Sequence, residues 1–387
     1  MSNFGYPGPV RGRNFRLKMR KRILFLLVCI GLNGIGFPVT LKAQGPETRI
    51  DPAYNDGPYI FYEGEHVIAR WSTAEGLKED TIKAGQPIRV EAGISDSFDP
   101  SYLDVQASFQ LSPVSAFKGV DRIAAVSDIH GQYSLLLDLL KAHRIINGAG
   151  KWAFGNGHLV VVGDIFDRGD KVTELLWFIH NLEKQAQQAG GKVHYLLGNH
   201  EVMALQGDLR YINKKYRYTM ARMGRPYDEL FGADTYLGRW LRSKPVAISI
   251  NKTAFVHAGF SEPFLGLGLT FDAINSLFQE KIIGQPEDSI LADPLLSYLY
   301  SDQGPVWYRG YFEEGFTKLQ AQHILSKLKK KHIVVGHTSF SSILPLFGNK
   351  IIGIDSSIKM GESGELLLIE KKKLYRGTLN GEKIRLN

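Results

Sequence analysis

The segment Asp121-Arg-Ile-Ala-Ala-Val126-Ser-Asp128-Ile-His130-Gly131 runs from a short apolar stretch into an aspartate, a histidine and a glycine. The same join recurs twice. Leu159-Val-Val-Val162 leads into Gly163-Asp164-Ile-Phe-Asp167-Arg168-Gly169, and Val193-His-Tyr-Leu-Leu197 leads into Gly198-Asn199-His200-Glu201. Short apolar runs closed by turn residues predict buried β-strands. Between them, Leu135–Ala142 and Val172–Gln188 have helical spacing, the second with a Leu175, Leu176, Ile179, Leu182 face and a Gly190-Gly191 stop. Strand–helix–strand order predicts an α/β sheet core whose strand ends carry the ligands. His257 follows Ala254-Phe-Val256, and His337 follows Ile333-Val-Val-Gly336, in the same kind of place.

Carboxylate, amide and imidazole donors without sulfur suit Mn, Fe or Zn. The simplest account is a pair of divalent metal ions, with Mn expected and Fe or Zn as alternatives, hydrolysing a phosphoester. Asp164 is the natural bridge, because a carboxylate offers one oxygen to each ion. Asp128 and His130 can then hold the first metal, and Asn199, His257 and His337 the second. His200 is placed to protonate the leaving group, and Asp167 to orient it. Arg168 can bind phosphoryl oxygens through paired donors, with Arg309 of Trp307-Tyr308-Arg309 as a second candidate. The expected reaction is in-line attack by a metal-bridging hydroxide, with no phosphoenzyme.

These ordered motifs, with His257-Ala-Gly259 and Gly336-His337, resemble the calcineurin-like metallophosphoesterases, and more narrowly the PPP-type phosphoprotein phosphatases. The block from Asn199 to Tyr211 is similar to their Shewanella-like branch. The resemblance spans roughly residues 121–356. It implies a four-layer α/β fold, a β-sandwich flanked by helices, with a dinuclear metal centre. Ser127, where the family often has glycine, and Ala-Gly-Phe after His257 are departures that leave the ligands intact. The single histidine of Gly336-His337-Thr338-Ser339 favours monoesterases over diesterases. The expected substrate is a phosphoserine or phosphothreonine protein or a small phosphate ester. A dinucleotide polyphosphate or phosphodiester hydrolase is the alternative.

The other histidines, His66, His143, His158, His180, His194, His323 and His332, are read as structural, and Asp355 as a capping or supporting group. Tyrosines and arginines between 210 and 222 either line a groove or face solvent on an amphipathic helix. Lys329-Lys-Lys331 reads as a solvated helix end.

Charge is informative by its location. Residues 1–43 hold eight of the 47 Lys and Arg and none of the 39 Asp and Glu, so the remainder carries 39 of each sign. The folded part therefore has no basic excess to support nucleic-acid binding. The basic stretch ending at Arg22, the apolar Ile23–Leu32 and Leu41-Lys42-Ala43 read as a signal peptide cleaved before Gln44. Met19 is a more usual start for it. Periplasmic or secreted location follows, with no membrane contact after cleavage; an uncleaved anchor is the alternative. Cys29 is the only cysteine, and Val28 before it argues against lipidation. The mature chain would hold no cysteine nucleophile. Small esters gain weight as substrates in a periplasm. Residues 44–118 read as a small β-rich region with strands at Tyr59–Tyr62, His66–Trp71 and Ile88–Glu91, and residues 119–387 as the catalytic domain.

Overall fold

The computed structural model describes residues 54–83, 88–89, 102–103, 109 and 114–387. The expected signal segment and Cys29 lie outside the described residues. Strands β1 (Asp56–Glu63), β2 (His66–Thr73) and β3 (Gly76–Lys83) form an antiparallel sheet, and β4 (Ile88–Arg89) pairs with β5 (Tyr102–Leu103). The chain then runs through β6 (Ala116–Phe117), β7 (Arg122–Val126), α1 (Tyr133–Ala142), β8 (His158–Val162), α2 (Val172–Gln188), β9 (Lys192–Leu196), α3 (Asn199–Leu205) and α4 (Lys214–Met223). Beyond several short helices come β10 (Ala247–Ile250), β11 (Thr253–Val256), β12 (His332–Val335), β13 (Leu344–Leu346), β14 (Ile351–Gly353), β15 (Glu365–Glu370), β16 (Lys373–Thr378) and β17 (Lys383–Arg385).

Two six-stranded sheets result, ordered β17-β16-β15-β7-β8-β9 and β13-β14-β12-β11-β10-β6. Strands β7, β8 and β9 are parallel, as are β11, β12 and β14. Burial on both faces explains why their sequences are mostly apolar rather than alternating. Ile123, Ala125, Val160 and Val162 pack against Phe255, Val334 and Ile352 of the other sheet. Ala124, Val126, Leu159 and Val161 turn the opposite way, into the core shared with Leu136, Leu140, Leu175 and Ile179 of the helices. The expected sandwich with flanking helices is the fold. Helix α2 ends where Gly190 adopts φ 75°, a left-handed position that releases the chain into β9.

The N-terminal sheet shares that second core. Trp177 Nε1 donates to the Pro58 carbonyl at 3.0 Å, and Tyr62 N donates to Asp234 O at 2.8 Å. Beneath it, the fully buried Lys215 ammonium lies 3.3 Å from Asp56 and 2.9 Å from Glu174. Strand β3, with its sequence Gly76-Leu-Lys-Glu-Asp-Thr-Ile-Lys83, is an addition to the expected strands. Among the described residues, no helix is long and apolar enough to cross a membrane.

Candidate metal centre

Every strand that reads as a motif carrier ends at one place. The loops after β7 and β8 are stitched together by His130 N to Asp164 O (2.9 Å), Gly131 N to Ile165 O (3.0 Å) and Gly169 N to His130 O (3.0 Å). Asp128, His130, Asp164, Asp167, Arg168 and His337 all sit at positive φ, between 46° and 71°. Side chains held there cost on the order of 1 kcal/mol each and persist when the surroundings over-determine them. Gly198 has a different reason for being glycine: a Cβ there would run into the Asp164 carboxylate and the His257 ring.

Two groups of buried donors converge, His130 with Asp164 and His200, and Asp164 with His257 and His337. Asp164 belongs to both. Its Oδ2 lies 3.6 Å from His130 Nε2, 3.9 Å from His200 Nε2 and 3.3 Å from His257 Nε2. Asn199 Oδ1 adds an amide oxygen 2.9 Å from His257 Nε2. Asp128 stands at the first group's edge, its Oδ1 3.9 Å from His130 Nε2 and its Oδ2 accepting from His337 N at 2.9 Å.

The imidazoles are presented for coordination. His130 Nδ1 is 2.7 Å from Phe166 O, and His257 Nδ1 is 2.7 Å from Val162 O. Donation at Nδ1 turns each Nε2 toward the cluster; that of the neutral His130 offers its lone pair directly, and that of His257, facing Asn199 and Asp164, would offer it once a cation displaces its proton. His337 is turned over: its Nε2 lies 3.1 Å from Trp307 O, which frees Nδ1. Burial raises the Asp164 carboxyl, but His257, His200 and His130 outweigh it and hold it well below the usual carboxylate range. Burial, Asp355 and Asp164 push Asp128 well above that range. Burial lowers His130 to about 3, while His257, against Asp164, is raised to about 9. Buried carboxylates and imidazoles that share so little positive charge fit divalent cations. The set of oxygen and nitrogen donors also suits them.

The remaining expected residues surround this cluster. His200 Nδ1 contacts Asp167 Oδ2. Arg168 is exposed and lies over the Tyr211 ring at 5.3 Å, and that ring is 5.3 Å from His200. Arg309, also exposed, donates to His337 O at 2.8 Å. Arg210, Tyr300, Trp307, Tyr308, Arg309 and Phe316 line an adjoining cavity of about 830 Å³. Asp355 accepts from Ser339 and Lys359, in a supporting place. The histidines read as structural are outside both donor groups.

Sequence reasoning missed three contributors. The Ser127 hydroxyl is 2.6 Å from Asp128 Oδ2 and 2.9 Å from Val162 O, so it can steady that carboxylate. Glu201, fully buried, accepts from Gly198 N (2.7 Å), Asp164 N (2.8 Å), Ile165 N (2.7 Å) and the Tyr195 hydroxyl (2.9 Å). Its place in the third motif was visible, but its partners were not. Tyr211 was visible only as part of a tyrosine-rich stretch.

The profile for calcineurin-like phosphoesterase matches residues 121–348. A solved structure, the cold-active protein-tyrosine phosphatase of a psychrophilic Shewanella species, is 43% identical with a TM-score of 0.80. The match covers 86% of this chain and 99% of that one. Shewanella-like protein phosphatase 2 of Arabidopsis thaliana is 25% identical over 63% of this chain and 73% of its own length. An uncharacterized protein of Schizosaccharomyces pombe is 29% identical over 70% of this chain and 83% of its own.

Proposed function

The chain belongs to the calcineurin-like phosphoesterases and is a metal-dependent phosphoesterase, and on that premise we propose a dinuclear, Mn-preferring phosphomonoesterase acting on phosphotyrosine. The observation that carries this reading is the Asp164 carboxylate, shared by two groups of buried histidines. Asp128 and His130 would hold one ion, and Asn199, His257 and His337 the other. When bound, such ions polarise phosphoryl oxygens and acidify water near neutral pH.

The chain's own groups do the rest. Arg168 and Arg309 anchor phosphoryl oxygens from two sides. His200 keeps a proton at Nε2 for the leaving oxygen, and Asp167 fixes its orientation through Nδ1. Phosphotyrosine replaces the phosphoserine and phosphothreonine expected from sequence for two reasons. The 43% identical Shewanella structure is named a protein-tyrosine phosphatase. Tyr211 beside His200, and the cavity walled by Trp307 and Tyr308, suit an aryl ester. With Cys29 the only cysteine in the chain, hydrolysis through a cysteinyl-phosphate finds no support. The reading takes residues 119–387 as the catalytic unit and 44–118 as a β-rich addition. It takes 1–43 as an export signal, supported by the order of basic and apolar residues there.

The test compares Mn²⁺-dependent hydrolysis of p-nitrophenyl phosphate, bis-p-nitrophenyl phosphate, a phosphotyrosine peptide, a phosphothreonine peptide and a dinucleotide polyphosphate. His200→Asn serves as control. Turnover of the aryl monoester and the phosphotyrosine peptide, lost in the variant, supports the proposal. Turnover confined to the diester or polyphosphate overturns it.

A further inference from the structure

The lysine run at 329–331 belongs to a larger arrangement at the amino ends of the strands, the opposite end of the sandwich from the donor cluster. Four segments meet there. Lys252 lies in the turn between β10 and β11, and Lys371-Lys372 form the turn between β15 and β16. Lys330 and Lys331 lead from the helix Lys318–Leu328 into β12, and residues 118–121 lead into β7. They are tied together by Lys331 N to Lys252 O (2.7 Å), Lys371 N to Asp121 O (3.0 Å) and Asn251 Nδ2 to Val120 O (2.7 Å).

The segments enclose a cavity of about 630 Å³. Its floor is the sandwich core, with Ile123, Ile369 and Leu374 all buried. Its rim carries Lys252, Lys331, Lys371 and Lys372, all exposed, against one lining carboxylate, Asp121. Among the described residues, none of these four ammonium groups has an ion-pair partner; the nearby Glu370 is taken by Lys383 at 2.6 Å. Burial, with the charges of Lys252 and Lys118, lowers the Lys330 ammonium from its ordinary value.

The β15–β16 turn sharpens the point. Lys371 and Lys372 have φ of 47° and 68°, so both central residues of a two-residue hairpin turn are left-handed. That turn favours Asn-Gly, and lysines there are strained. Solvation needs no such placement, since lysine is free to occupy any exposed position. Uncompensated cations ringing an apolar hollow match an amphiphile with an anionic head. We propose that this cavity binds an anionic glycerophospholipid, its phosphate held by the lysine rim and its acyl stem against Ile123, Ile369 and Leu374. Such binding departs from the sequence expectation of no membrane contact after signal cleavage.

The test is calorimetric titration of the full chain with dihexanoyl phosphatidylglycerol below its micellar concentration. The matching phosphatidylcholine and inorganic phosphate are titrated beside it. The key variant is Lys371→Asn with Lys372→Gly, which installs the residues that the turn prefers. We expect saturable phosphatidylglycerol binding, weakened roughly thirtyfold in the variant. Its thermal stability should not fall, and its hydrolysis of p-nitrophenyl phosphate should be unchanged. Lys252→Gln with Lys331→Gln should weaken binding similarly. Equal binding of the two lipids, phosphate bound as tightly as phosphatidylglycerol, absence of phosphatidylglycerol binding, or variants that bind it normally would each overturn the proposal.

Discussion

His200 Nδ1 lies 2.5 Å from Asp167 Oδ2, joining the first turn of α3 to the loop after β8. Burial lowers the imidazole's pKa, but Asp164 and Asp167 outweigh it, and the net shift is upward. Asp167, in direct contact with Nδ1, therefore favours the protonated form of His200. A proton donor's activity is lost as pH rises through its pKa. Asp167→Asn should move the alkaline limb of the kcat profile to lower pH and reduce kcat at neutral pH roughly tenfold or more. An alkaline limb that stays where it was would remove His200 as proton donor.

Asp164→Asn should lose metal and activity together. The amide offers one oxygen where the carboxylate faces three imidazoles, and it brings no negative charge. Metal content after dialysis, measured by mass spectrometry, should fall from roughly two ions per chain toward none. Normal loading with normal turnover would disprove the bridging assignment.

Glu201→Gln should destabilise the protein although its carboxylate meets Asp164 only at the backbone amide. The glutamate accepts from four backbone amides, Phe166 N the most distant at 3.5 Å, and one hydroxyl, and the glutamine amide would set its own N–H groups against those donors. The expected cost is about 2–3 kcal/mol, a melting temperature roughly 3–4 °C lower for a chain of this size. A melting point within a degree of the parent would show that the clamp adds little.

His194 Nε2 lies 2.9 Å from His158 Nδ1, on the strands β9 and β8, well away from the donor cluster. Burial and the Lys192 charge hold His158 at about 4. Burial, His158 and Lys192 hold His194 well below its ordinary value. Both folded-state values lie below the unfolded 6.5, so the unfolded chain binds more protons between those limits. Their contribution is full above pH 6.5 and is lost as pH falls toward 4. Thermal melts across that window should show a steeper acid loss in the parent than in His158→Asn/His194→Gln. Parallel curves would count against it.

The sequence was most legible where one physical cause acted alone. Strands β7, β8 and β9 are buried on both faces, so short apolar runs, broken in β9 only by His194, betrayed them, and α2 was bounded by its glycine stop as expected. Strand β3 was not legible, because it is an edge strand whose Lys78, Glu79 and Asp80 face solvent and mimic a loop. Lys215 gave no signal in the sequence. Its full burial between Asp56 and Glu174 depends on partners 159 and 41 positions away in sequence. Tyr216, grouped with possible groove residues, is instead buried, its hydroxyl accepting from Val172 N at 2.6 Å. The donor cluster was readable because each candidate donor follows the end of a strand. The supporting bonds of Ser127 and Glu201 were not, because they span loops.

The left-handed backbone at Arg168, φ 66°, is a standing preference for another residue. Glycine or asparagine would relax that position, and the exposed side chain contributes little packing to set against the gain. A laboratory selection that scores only heat resistance should therefore replace this arginine, our proposed phosphoryl anchor, first. Keeping that arginine requires selection on turnover, and thermostable descendants obtained without it should be sturdier and poorer catalysts.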